Sequence, residues 1–268
     1  MGNNSVERHP DGQITTEQRG HIYMIGIDRP EKYNGFTPKM FAELADAYAE
    51  LEHNSDLRVG VLHAHGEHFT AGLDLPKFTD AMKAGEPILP TNGLDPFSLA
   101  PPFRTTPVIA AMKGICYTVA IELMLATDIV ISARSARYCQ LEVGRGLMAS
   151  AGATFRMVER AGWGNAMKVL LTGYEFDAEQ ALAYNFIQEL VDDGQELKRA
   201  LELAEEIARQ APLAIQATMA NARTFCFDGP EAAAASFIPT MAELSNTDDA
   251  AEGVNSFSEK RAAVFQGK

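Results

Sequence analysis

The chain has 268 residues, 46% of them apolar, and a formal net charge of −13. That length suits one substantial core, and no run approaches the roughly 18 uninterrupted apolar residues of a membrane span, so no membrane partner is expected. An acidic field repels polyanions and argues against nucleic acid as the main partner, and an anionic ligand would need local help from backbone N–H groups at helix starts.

The opening MGNNSVERHPDG is polar, with no basic-then-apolar signal segment, and a cytoplasmic protein is expected. HIYMIGIDRP from His21 and VGVLHAHG from Val59 read as strands, and the segment from Thr37 to Glu50 between them reads as a helix. Thr37 can cap that helix, Pro38 falls where a missing N–H costs nothing, and Met40, Leu44, Tyr48 and Leu51 follow at helical spacing. Between Ala84 and Pro107 stand Pro87, Pro90, Pro96, Pro101 and Pro102, the composition of a long surface loop of the kind that forms lids. PVIAAMKG (Pro107 to Gly114) and DIVISARS (Asp128 to Ser135) are two further strands, and the segment from Ile121 to Ala126 between them suits a short helix. Recurring strand–helix alternation predicts an α/β fold with its chemistry on the loops after the strands.

From Gln195 to Lys268 the strand signals vanish, leaving three helical stretches broken at Pro212 and at Asp228-Gly229-Pro230. The chain therefore divides into a core of residues 1–194 and a helical region of residues 195–268. Leu201, Ala204, Ile207 and Ala208 give that region more apolar surface than a helix lying on a monomer needs, which predicts an oligomer.

All six histidines lie at or before His68, and His63 and His65, on one face of a strand, have no third ligand signalled, so no metal site is expected. Cys116, Cys139 and Cys226 show no paired spacing and read as reduced thiols. Neither a G-x-S-x-G elbow nor a P-loop nor a G-x-G-x-x-G turn is present, which leaves carboxylate chemistry. Glu122 interrupts the apolar ICYTVAIELMLA, where desolvation raises a carboxyl pKa toward neutrality; taken alone it fits a buried ion pair or an acid/base group equally. Glu142, taken alone, reads as a surface residue.

Several segments together resemble the enoyl-CoA hydratase/isomerase (crotonase) superfamily. IDRPEKYNGFT is similar to its N-terminal R-P-x-x-x-N element, EHFTAGLDL to its acyl-CoA loop, and TPVIAAMKGICYTVAIELMLATDIVISARSARYCQLEVGRGL to its catalytic core. LLTGYEFDAEQALAYNFIQELV and EGVNSFSEKRAAVFQGK extend the likeness over roughly residues 19–268. The resemblance implies an α/β fold of ββα units wound into a spiral, and a helical C-terminal region that builds a homotrimer, or a hexamer as a dimer of trimers. It implies an acyl-CoA thioester substrate and no separate cofactor, coenzyme A being part of the substrate.

Carried over position by position, Glu122 and Glu142 fall on the family's two catalytic glutamates, and the backbone N–H groups of Leu73 and Val119 on its oxyanion donors. Ala71, Gly72, Asp74 and Leu75 fall on the CoA-binding loop, Lys32 and Asn34 on the element that approaches adenosine, and Ser150 beside the catalytic water. Retention of both glutamates implies hydration of a 2-enoyl-CoA; isomerisation, thioester hydrolysis and non-catalytic acyl-CoA binding are the alternatives. Thr118-Val119-Ala120 stands where many hydratases have three glycines, so the cleft should be narrower, and a positive φ there would strain β-branched Val119.

Overall fold

A computed structural model describes residues 9–89 and 93–268; most of the polar opening segment and three residues of the proline-rich loop lie outside them. The first sheet starts with the antiparallel strands β1 (Gln13–Arg19) and β2 (Ile22–Asp28), joined through Gly20 at φ 59°. Strands β3 (Val59–Ala64), β4 (Val108–Met112), β6 (Ile129–Ala133) and β9 (Glu189–Val191) add to it in parallel, in the order β1-β2-β3-β4-β6-β9. A second sheet holds β5 (Ile115–Tyr117), β7 (Arg137–Cys139) and β8 (Phe176–Asp177). Parallel strands covered on both faces need apolar side chains in both directions, which is why VIAAM is buried at every position.

Successive turns of the chain visit both sheets before a helix. From β4 it passes through β5 into α3 (Val119–Ala126), and from β6 through β7 toward α4 (Ala153–Thr172). Earlier turns touch the second layer through single bridges, Thr70 to Cys116 and Phe36 to Leu73. The result is the spiral of strand–strand–helix units. One core cluster joins both sheets to α3, α4 and α1 (Pro38–His53), whose Met40, Phe41, Leu44, Tyr48 and Leu51 all face inward. The cap on α1 forms as its sequence predicts, with the Met40 N–H donating to Thr37 Oγ1 at 3.3 Å and Pro38 in the first position.

Helix α6 (Glu196–Ala208) corrects the sequence reading of residues 201–208. Ala200, Ala204 and Ala208 form a buried ridge against Met24, Val61, Ile109 and Ile131 on the first sheet, and Leu201 and Ile207 flank it. Its apolar positions are spent inside the chain, because the sheet's second face has to be covered.

The three expected C-terminal stretches are five helices: α6, α7 (Pro212–Asp228), α8 (Pro230–Ala235), α9 (Phe237–Ser245) and α10 (Asp248–Glu259). Of the two additional breaks, before α9 and before α10, the second is set by Thr247, whose hydroxyl caps the new helix by accepting from the Ala250 N–H. Here large apolar side chains stand in solvent: Phe225, Phe227, Phe237 and Met241 are exposed, and Ile238 and Phe257 are 84% and 85% accessible. Among the described residues no helix is long and apolar enough to cross a membrane.

Because Ala204 is fully buried between helix and sheet, Ala204→Leu should cost about 1–3 kcal/mol by overpacking. Urea unfolding measures it, and an unchanged midpoint would contradict the close docking of α6.

Candidate active site

The site is built where the second sheet hands over to α3. Thr118 makes the turn: its N–H donates to the Cys139 carbonyl at 2.8 Å, and its carbonyl accepts from Ile121 and Glu122 at 2.9 and 3.3 Å. To do so it adopts φ 50°, ψ −109°, a conformation that costs a β-branched residue about 1–3 kcal/mol. The positive φ expected as a burden on Val119 therefore falls one residue earlier, and Val119 is the ordinary first residue of the helix. Its N–H, like any first-turn N–H, has no partner within the helix.

Leu73 offers a second such group. Phe36 uses both of its peptide groups on the neighbours of Leu73, donating to the Gly72 carbonyl and accepting from the Asp74 N–H, each at 2.9 Å. The peptide groups of Leu73 therefore turn the other way. Among the described residues neither the Leu73 nor the Val119 N–H finds an acceptor, and both residues line one cleft of about 210 Å³.

Glu122 and Glu142 line the same cleft. Glu122 is buried in the first turn of α3, and its Oε1 accepts the N–H groups of Ala151 at 2.6 Å and Ala153 at 3.3 Å, from the segment entering α4. Burial raises its pKa, opposed by those two N–H groups and by the charge of Arg156. Glu142 opens a short 3-10 turn, residues 142–145, and Gln140, its amide oriented to donate, lies 3.2 Å from both carboxylate oxygens. Burial pushes Glu142 up to about 7; its own N–H opposes this, and the charge of Glu122 adds to it.

Of the other residues anticipated from sequence, Ala71, Leu75 and Ser150 line the cleft. Gly72 lies behind it, with φ 112° and its carbonyl in the Phe36 bridge. Asp74 is paired with buried Arg29 at 2.9 Å. Lys32 is exposed outside the cleft lining. Asn34, expected at a ligand, is fully buried instead: it accepts from the Arg29 N–H and donates to the carbonyls of His65 and His68, so its side chain is spent on the scaffold.

The sequence reading missed most of the apolar wall. Phe41 belongs to the core face of α1, while Ile88, Leu89 and Phe97 come from the proline-rich loop, where no periodicity marks them. Arg145 also lines the cleft. Arg156 lies behind it, donating to the carbonyls of Phe97 at 2.6 Å, Ser98 at 3.0 Å and Ala151 at 3.4 Å.

A two-sheet spiral enclosing an apolar cleft, with a carboxyl pair and free backbone donors on its wall, defines an α/β protein of the crotonase class. Residues 17–268 match the family model described as enoyl-CoA hydratase/isomerase, and the chain belongs to that family. It is 32% identical to the enoyl-CoA hydratase EchA19 of Mycobacterium tuberculosis over 98% of this chain and 99% of that protein. It is 31% identical to an (E)-benzylidenesuccinyl-CoA hydratase of Thauera aromatica, over 95% of this chain and 99% of that one. Among solved structures, a probable enoyl-CoA hydratase/isomerase from Mycobacterium abscessus superposes with a TM-score of 0.92 at 40% identity, covering 95% of this chain and 98% of that chain.

The raised pKa of Glu142 has a sign that can be checked. Between 4.5 and about 7 the folded chain holds a proton that the unfolded chain has lost, so stability falls as pH rises through that window. Glu142→Gln removes this proton linkage. The stability of the parent relative to the variant should therefore decline from about pH 4.5 to about 7 and level off above; a pH-independent difference in thermal unfolding would contradict it.

Proposed function

We propose that the chain is an enoyl-CoA hydratase, adding water across the 2,3 double bond of an acyl-CoA thioester. The observation that carries this reading is one cleft holding two carboxyls whose pKa burial raises and two backbone N–H groups without a partner among the described residues. Relatives named as CoA-thioester hydratases that align over almost the whole chain support it.

As water adds to the β-carbon, negative charge gathers on the thioester oxygen, and preorganised N–H donors at Leu73 and Val119 stabilise that charge, with the α3 N-terminus adding its dipole. Glu122 takes a proton from the attacking water, and Glu142, which burial pushes up to about 7 and so keeps partly protonated near neutral pH, delivers one to the α-carbon. Water gains a carbon bond and loses a proton, the α-carbon gains one, and exchange with solvent through the open cleft restores both carboxyls. Every group used belongs to the chain or to the substrate.

Glu122→Gln and Glu142→Gln should each lower kcat on a 2-enoyl-CoA by about 10²- to 10⁴-fold, and the double variant should lose less than the product. Val119→Pro removes a donor at a position where helices accept proline, and should cost about 10²- to 10³-fold. Loss of the conjugated enoyl-thioester absorbance follows the reaction. A fully active single glutamine variant would overturn the paired-carboxyl mechanism.

We also propose that α7–α10 assemble the chain into a homotrimer or a dimer of trimers. Support comes from Phe225, Phe227, Phe237, Ile238, Met241 and Phe257, all of them exposed among the described residues. Light scattering should give a mass three or six times that of one chain; a single-chain mass at micromolar concentration would remove the proposal.

A further inference from the structure

Thr118 carries three features that the roles assigned so far leave unused. It is a β-branched residue held at φ 50°, ψ −109°, where glycine would sit without strain. Its side chain is pressed on Gly72: a Cβ added to Gly72 would lie 2.3 Å from Thr118 Oγ1 and 3.5 Å from its Cβ. And although Thr118 lines the cleft, among the described residues its hydroxyl makes no hydrogen bond, whereas the hydroxyls of Thr37, Thr70, Thr105 and Thr127 each donate to a protein acceptor.

Two neighbours locate that hydroxyl. Along the chain Thr118 precedes Val119, and through space it covers Gly72, which precedes Leu73. The hydroxyl thus lies on a residue next to Val119 in the chain and against Gly72, the residue next to Leu73. A strained backbone persists only where its surroundings impose it, and here Cys139, Ile121 and Glu122 all bond the Thr118 peptide groups. Glycine would meet the same backbone demand at less cost, so the side chain itself needs a use.

We propose that the Thr118 hydroxyl is a substrate contact, a third hydrogen-bond donor to the thioester carbonyl oxygen beside the N–H groups of Leu73 and Val119. This rests on the hydratase reading for its effect on rate, but the contact itself can be read from binding alone. A hydroxyl donor suits an oxygen that gains charge during reaction, since its bond strengthens as the charge develops.

Three variants separate hydroxyl, shape and strain. Thr118→Val keeps the β-branch and loses the donor, Thr118→Ser keeps the donor, and Thr118→Gly loses the donor while relaxing the backbone. On a 2-enoyl-CoA, Thr118→Val should lose about 10- to 100-fold in kcat with little change in KM, as expected of a donor used mainly in the transition state. Thr118→Ser should stay within about threefold of the parent, following the retained donor. Thr118→Gly should melt higher than the parent yet be as slow as Thr118→Val. The carbonyl stretch of a bound, saturated, ¹³C-labelled acyl-CoA should move toward its free value in Thr118→Val and Thr118→Gly but not in Thr118→Ser.

An unshifted stretch in folded Thr118→Val, or a Thr118→Gly variant as fast as the parent, would overturn the contact. If the parent turns over no 2-enoyl-CoA, the hydratase reading fails, while the stretch in the bound saturated thioester still decides the Thr118 contact.

Discussion

The structure turns on the cost of burying one carboxylate. Glu122 sits in a helix whose eight residues are all buried, and a charge there is tolerated only if the backbone meets it. The Ala151 and Ala153 N–H groups do so, which fixes the segment entering α4 against the start of α3. The other end of α3 is fastened by cations: Arg104 donates to the Ala126 carbonyl and Arg160 to the Leu125 carbonyl, each at 3.0 Å. With both ends fixed, the first turn of α3 presents the Val119 N–H and the Glu122 carboxyl to the cleft as a rigid unit.

The same polar framework links the cleft's apolar wall to its chemistry. Arg156 binds the Ala151 carbonyl and, through Phe97 and Ser98, the proline-rich loop. One guanidinium thus bonds to Ala151, the residue whose N–H steadies Glu122, and to the loop segment that contributes an aromatic side chain to the cleft. Arg104, ion-paired with Asp128 at 2.5 Å, and Glu52, which accepts from Thr105 and Thr106, anchor the far end of that loop. The cleft's apolar wall and its carboxyl pair accordingly share a scaffold.

Much of the fold was legible in the sequence wherever one physical signal acted alone. The strands from His21, Val59, Pro107 and Asp128 and the capped helix from Thr37 follow directly from periodicity and cap chemistry. Short β5, β7 and β8 carry too few residues to show a period, and their pairing depends on distant partners. The apolar stripe of α6 was visible but its destination was not, because periodicity reveals a face without revealing what covers it. In the site, the apolar setting of Glu122 was readable locally, whereas the partial burial of Glu142 and the strained turn at Thr118 arise only when the second sheet closes on α3. Asn34 shows the converse: a residue in a ligand-associated element whose polar groups the scaffold consumes.

The central claim concerns where a thioester sits relative to the two carboxyls, and a crystal structure with a saturated acyl-CoA tests it most directly. The account predicts the carbonyl oxygen within about 3 Å of both the Leu73 and Val119 nitrogens, with the β-carbon lying between Glu122 and Glu142. A thioester bound with its oxygen away from those two N–H groups, or with its acyl chain directed away from the carboxyl pair, would contradict the account.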